Sequence, residues 1–299
     1  MKIVVAGGSG FLGEPLVRRL LARGDDVAVL SREPSKVKAG RGVEWDGKTA
    51  GPWTAEIAAA DVVINLAGEN VGAGRWTAER KRRLINSRVE ATNAIVAALT
   101  SAPRKKRTLI NASAVGYYGT TRDTPVEESS SKGSGFLADL VEQWESAAKR
   151  ADAVARVVIL RFGVVLAADG GALQKMAVPF RLGMGGPVGS GQQWMSWVGR
   201  DDVLDAMRWA IDRETVRGIY NITAPEPVRN REFAKTLGRV LHRPAVMPAP
   251  AFALRLAFGE MADEALLGGQ RAVPRRAQAE GFAFAHPTLE SALRHIFSD

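Results

Sequence analysis

The chain's first apolar run ends on a ladder of glycines, and that junction limits the fold more than any other feature. Lys2-Ile-Val-Val-Ala6 is short and rich in β-branched residues, which suits a buried strand. It passes directly into Gly7-Gly-Ser-Gly10-Phe-Leu-Gly13, and a helical pattern follows from Glu14. Strand, glycine turn and helix in that order open a dinucleotide-binding βαβ unit. Glycines at 7, 10 and 13 answer three needs: a turn with positive φ, close approach of a pyrophosphate, and tight packing of helix on strand. The helix N-terminus then faces the phosphate charge.

The next strand indicates which dinucleotide. Val27-Ala-Val-Leu30 ends at Ser31-Arg32. A site for NAD places Asp or Glu there to bind the ribose 2′-hydroxyl. A guanidinium instead favours a 2′-phosphate through a charge-assisted, bidentate contact. The expected cofactor is NADP(H). Asp25 and Asp26 stand at the opposite end of that strand.

The remainder of the first half alternates strands and helices. Strands are expected at Val43–Asp46, Val62–Leu66, Thr108–Ser113 and Val157–Arg161, with helices over Ser87–Leu99 and Phe136–Lys149. Such alternation builds α/β architecture, a doubly wound parallel (Rossmann) sheet with ligands at the carboxyl ends of its strands. Gly218–Ile222 is expected to rejoin the sheet as a last strand. A smaller C-terminal substrate lobe completes the expected fold. The Rossmann domain then spans 1–165 with about 200–224, and the lobe spans 166–199 and 225–299.

Composition excludes several chemistries. The chain has no cysteine, and its three histidines, His242, His286 and His295, stand apart in sequence. Thiol chemistry is therefore excluded, and no metal site is expected. No apolar run approaches the roughly 20 residues that span a bilayer, and the expected location is the cytoplasm. The net charge of +9 includes two basic clusters, Arg80-Lys-Arg-Arg83 and Arg104-Lys-Lys-Arg107. Neither is interleaved with aromatic residues as a nucleic-acid groove would be. A small-molecule substrate is expected as partner, and neither nucleic acid nor a membrane; a homodimer is left open.

GGSGFLG, NLAGENVGAGRW, NSRVEAT, SAVGYYG, RFGVVL, PFRLGMGGPVGSGQQW and QRAVPRRAQAEGF run along nearly the whole chain. Together they resemble an extended short-chain dehydrogenase/reductase of the epimerase-like subgroup, the NAD-dependent epimerase/dehydratase proteins that carry a C-terminal domain of unknown function. The resemblance implies NADP(H) contacts at Gly7, Gly10, Phe11, Leu12, Gly13, Ser31, Arg32, Leu66, Ala67, Arg88 and Val165. For Arg88 and Val165 it is the only ground.

The chemistry departs from that resemblance. Related enzymes place a Tyr-x-x-x-Lys pair one helical turn apart, facing the nicotinamide. There the Lys lowers the Tyr pKa and the Tyr exchanges a proton with substrate. The three tyrosines here, Tyr117, Tyr118 and Tyr220, are followed four residues on by Thr121, Arg122 and Ala224. The pair is absent. Tyr117, Tyr118, Ser113 and Glu69 are the candidate catalytic replacements. The glycine-rich loop Gly183–Gly191 is expected to act as a lid, with Gln192, Gln193, Trp194 and Trp197 near the substrate. Two functions follow as expectations: an NADP(H)-dependent oxidoreductase or epimerase on a small polar, sugar-like molecule, or an NADPH-binding sensor that no longer turns over.

Overall fold

The computed structural model describes residues 1–121 and 123–298. Seven strands form one parallel sheet: β1 (Lys2–Ala6), β2 (Asp26–Ser31), β3 (Arg41–Glu44), β4 (Val62–Asn65), β5 (Thr108–Ala114), β6 (Arg156–Phe162) and β7 (Gly218–Ile222). Their order is β7-β6-β5-β4-β1-β2-β3. Sequence order therefore reverses between β1 and β4, and a crevice opens there at the carboxyl ends.

Pleating sends alternate side chains to opposite faces. Ile3 and Val5 of β1 join one core cluster, while Val4 and Ala6 join the other. The first face is covered by α1 (Gly13–Ala22) and by the helix Arg200–Asp212, the second by α2 (Thr54–Ala59), α3 (Ala78–Ser101) and α4 (Phe136–Lys149). With both faces covered, the strands read as continuous apolar runs.

Two boundaries differ from expectation. β3 starts at Arg41 because its register with β2 runs from Ala28–Arg41 to Ser31–Glu44, and pairing outweighs the weak strand preference of Arg41-Gly42. α3 starts nine residues before Ser87. Thr77 caps it, its hydroxyl accepting from the Arg80 N–H at 3.1 Å, and the basic run Arg80–Arg83 lies inside the helix. Glu69 and Glu260 pair with Arg80 and Lys81, which removes the like-charge strain of that run.

The chain from Gly171 onward wraps back onto this frame. The helices α5 (Gly171–Arg181), α6 (Arg200–Asp212, introduced above), α7 (Asn230–Val240), α8 (Ala251–Phe258), α9 (Arg275–Ala279) and α10 (Leu289–Phe297) follow one another. A short strand at Arg271–Ala272 pairs with Pro125–Val126. Asp202 lies in the first turn of α6. Its Oδ1 accepts from the Ala285 N–H at 2.7 Å, tying the last segment to the frame. Tyr220 on β7 donates to Glu280 at 2.7 Å, and Arg276 donates to the Ile219 carbonyl at 2.7 Å.

Candidate functional site

Because all seven strands run parallel, Ala6, Ser31, Asn65, Ala114 and Phe162 end on one edge. The glycine turn sits at its centre. Gly7 has φ +77°, and a Cβ there would lie 2.8 Å from the Leu66 carbonyl carbon. A Cβ on Gly13 would lie 2.1 Å from the Gly7 carbonyl oxygen. These two positions require glycine, one for the turn and one for seating α1 against β1. The Gly10 N–H donates to the Gly7 carbonyl at 3.0 Å and closes the turn. Phe11 lays its ring against Gly170 and Gly171. Leu12, Leu66 and Val165 are partly buried against the same core cluster, so the loops after β1, β4 and β6 meet here.

At the end of β2, the Ser31 hydroxyl accepts from the Glu33 N–H at 3.1 Å. Arg32 is exposed and, among the described residues, makes no ion pair. Its neighbour Glu33 pairs instead with Lys36. A guanidinium left unengaged at this strand end is available to an anion.

Beyond Ala67 the crevice wall is Arg88. A Cβ on Gly68 would come within 3.0 Å of its Cζ. The guanidinium donates to the carbonyls of Leu84 at 3.0 Å and Glu69 at 2.8 Å, and lies over the Trp144 ring. Burial, reinforced by Arg80 nearby and only partly countered by Glu69, pushes its pKa down to about 10. Beneath it, Thr92 Oγ accepts from Asn65 at 2.9 Å and from Trp144 at 3.1 Å. Asn65 also donates to Asn111 at 2.8 Å. The polar strand ends of β4 and β5 are thus satisfied internally, which a buried site demands.

A cavity of about 280 Å³ continues from Arg88 and Trp144 past the start of β5's exit loop to Gln193 and Trp194. Its walls are mainly apolar: Val71, Leu137, Leu140, Val141, Met176 and Leu266 contribute, with Glu264 at one side. Leu137 and Val141 stand one turn apart on α4, and both face the cavity. They have the spacing of a Tyr-x-x-x-Lys pair, as do Leu140 and Trp144 beside them, and none of the four can donate a proton as a phenol or ammonium does.

None of the four candidate catalytic residues is among the described residues that line this cavity. Ser113 and Tyr118 are buried in a network beneath it. Ser113 donates to Glu145 Oε1 at 2.6 Å, and Arg161 binds both Glu145 oxygens at 2.7 Å. Arg161 also donates to the Tyr118 hydroxyl at 2.9 Å, which donates onward to Asn221 at 2.8 Å. Burial pushes the Tyr118 phenol up to about 12, despite Arg161 beside it. Burial alone would weaken the charge on Arg161, but Glu145 overcomes it and holds that guanidinium above its usual range. Tyr117 stacks its ring 3.6 Å from the Arg161 Cζ. Glu69 is ion-paired with Arg80 at 2.7 Å. Ser113, Tyr117 and Tyr118 thus gather around Arg161, while Glu69 stands apart beside Arg80.

Two further expectations change. Trp197 is fully buried in the core, whereas Trp194 lines the cavity between Arg229 and Arg271. The Gly183–Gly191 segment is tied by backbone bonds: Met247 N–H to the Gly185 carbonyl at 3.0 Å, Ala249 to Pro187 at 2.9 Å, and Gly189 to Ala249 at 2.9 Å. Its glycines serve close packing. A Cβ on Gly186 would sit 2.0 Å from the Met247 carbonyl oxygen.

Comparison with known proteins fits this geometry. The model of the NAD dependent epimerase/dehydratase family matches residues 3–223, and that of a domain of unknown function (DUF1731) matches residues 249–296. The chain belongs to this epimerase/dehydratase family. Epimerase family protein YfhF of Bacillus subtilis is 39% identical over 303 residues, covering 100% of this chain and 99% of that one. A crystal structure of human epimerase family protein SDR39U1 with NADPH superposes with a TM-score of 0.91 at 36% identity, over 100% of both chains. The Thermus thermophilus UDP-glucose 4-epimerase complex with NAD shares the fold at a TM-score of 0.77 and 19% identity, covering 98% of this chain and 97% of that one. With these relatives the chain is an epimerase-like member of the Rossmann-fold dehydrogenase/reductases.

Proposed function

We propose that this protein binds NADP(H) along the carboxyl edge of its sheet and functions through cofactor occupancy, as a sensor of the NADP(H) state, rather than by interconverting alcohols and carbonyls. The observation that carries this reading is the pair Leu137 and Val141, two aliphatic side chains at the cavity-facing positions of α4. Proton exchange with a substrate oxygen needs a group within hydrogen-bond reach, and the phenol and ammonium are absent from those positions. NADP(H) is preferred over NAD(H) because Arg32 is free to meet a 2′-phosphate; the human relative crystallised with NADPH supports the same cofactor. When bound, the cofactor supplies hydride chemistry at its nicotinamide. The chain supplies the glycine turn for the pyrophosphate, Arg32 for the phosphate and Arg88 as the wall next to the cavity.

A second reading is favoured by the cavity itself. Its volume of about 280 Å³ admits a small ligand, and its mainly apolar walls suit a planar, weakly polar hydride acceptor better than a sugar. The two readings are separated by calorimetric titration with NADPH followed by NADPH-oxidation assays over UDP-sugars, aldehydes and quinones. Binding without turnover is expected. Efficient turnover of UDP-sugars would overturn both readings, turnover confined to quinones or aldehydes would select the second, and absence of NADPH binding would remove both.

A further inference from the structure

The most exposed apolar surface lies away from the cofactor crevice, on the C-terminal segment. Helix α8, Ala251–Phe258, has the sequence AFALRLAF, and none of its residues is buried. Phe252 and Leu256 share one face four residues apart and are 73% and 77% exposed. The segment leading into it adds Val246 and Met247, at 78% and 56%. The strap Gly183–Gly191 is hydrogen-bonded along this same segment through Gly185, Pro187 and Gly189. It brings Leu182 and Met184, 64% and 52% exposed, to the same surface. A cluster of this kind on a soluble frame marks an interaction site.

The charge around it identifies the partner. The two stretches that build the surface, residues 170–200 and 233–259, contain no Asp or Glu at all. Arg181 precedes Leu182, and Arg243 precedes Val246 by three residues. Arg231 packs at Gly191, and Arg75 reaches the end of α8 at Gly259. Among the described residues none of these four makes an ion pair, whereas Arg255 is neutralised by Asp263. An exposed aliphatic and aromatic helix rimmed with unpaired arginines matches an anionic bilayer, whose surface attracts the guanidinium groups while the apolar side chains enter the headgroup boundary. A second copy of the chain fits less well, since a two-fold contact through this face would set one acid-free, arginine-bearing surface against another. No described helix is long and apolar enough to cross a membrane, so the contact is peripheral.

We propose that α8 and the strap beside it seat this protein on an anionic membrane surface. The sequence had suggested no membrane partner, because exposure of a short helix is invisible to a search for spanning segments.

The test is co-sedimentation of the full chain with phosphatidylcholine vesicles that contain or lack phosphatidylglycerol. Binding is expected only with phosphatidylglycerol. The double substitution Phe252→Ser/Leu256→Ser should weaken it by about tenfold or more, as should Arg181→Glu/Arg243→Glu. Phe252→Ser/Leu256→Ser should melt as the native chain does, since both side chains face solvent, and thermal melts of Arg181→Glu/Arg243→Glu check that losing the Arg181 contact with the Phe297 ring leaves the fold intact. Absence of vesicle binding, or binding unaffected by both variants, would overturn the proposal. So would sedimentation velocity showing a dimer that Phe252→Ser/Leu256→Ser dissociates, which would give the surface to a second copy.

Discussion

The carboxylate of Glu264 closes the first turn of α4, with Oε1 accepting from the Phe136 N–H at 2.8 Å and Oε2 from the Leu137 N–H at 2.9 Å. The two partners are 128 residues apart. Gly135, which precedes the helix at φ +109°, has no side chain to do this locally. The C-terminal segment therefore satisfies orphan amides of the helix that walls the cavity, and places a negative charge at the positive end of its dipole.

Glu264→Ala should consequently lower stability by about 1–2 kcal/mol, with Glu264→Gln recovering part of the loss because its amide oxygen can still accept one bond. Urea unfolding followed by circular dichroism measures both. Equal stability of Glu264→Ala and the parent chain would mean that the contact is not maintained in solution.

The buried Arg161–Glu145 pair gives a larger effect. Both side chains are almost wholly inaccessible, and Ser113 and Tyr118 complete their bonding. Removing one member leaves an uncompensated buried charge, and Glu145→Ala should cost about 3–5 kcal/mol. Ser113→Ala removes only one donor and should cost about 1 kcal/mol. Reversal of that order in equilibrium unfolding would contradict the role of Ser113 as a supporting group.

Cofactor choice rests on one side chain. With Arg32 free at the end of β2, NADPH should bind about ten- to a hundredfold more tightly than NADH. Arg32→Asp should abolish or reverse that preference, because a carboxylate repels the 2′-phosphate and accepts the ribose hydroxyls. Calorimetry with both nucleotides decides, and equal affinities in the native chain would refute the assignment.

Two tyrosines set an alkaline limit. Burial pushes Tyr118 up to about 12, and burial with the Glu280 bond pushes Tyr220 to about 12, from an ordinary 10. The folded state then holds these protons more tightly than the unfolded state. The sign of the linkage makes their stabilisation complete below pH 10 and lost as pH rises from 10 to 12. Melting temperature should fall through that interval, and Tyr118→Phe should fall less steeply. A flat profile up to pH 12 would show that neither phenol is protected.

The frame was legible because its signals are local. The GxxGxxG turn and the apolar runs of β1, β4, β5 and β6 each declare their place in the fold within a few residues. The site floor was not legible, since its meaning depends on long-range pairing. Ser113 meets Glu145 across 32 residues and Tyr118 meets Asn221 across 103. From the sequence alone, the hydroxyl of Ser113 at a strand end gives no sign of its buried carboxylate partner. Leu137 and Val141 were hidden for a different reason: aliphatic residues on an amphipathic helix look like core, and only the cavity distinguishes the face they occupy. Glu264 could have been suspected from a helix that begins after a glycine with no local cap, though not identified.

The strap Gly183–Gly191 offers the last test, because sequence and structure give opposite expectations. Five glycines and a proline in nine residues suggest high backbone entropy and a lid that orders on binding. In the structure, Val188 N–H donates to the Asn230 side chain at 2.7 Å, Gly189 N–H donates to Ala249, and Gln193 bridges the carbonyls of Val188 and Leu266. Amides bonded in this way exchange slowly whether or not a ligand is present. Hydrogen exchange of the cofactor-free protein should therefore show Val188 and Gly189 protected well above exposed amides such as that of Lys38, with little change on adding NADPH. Rapid exchange that slows on binding would restore the lid and place the strap among the moving parts of the site.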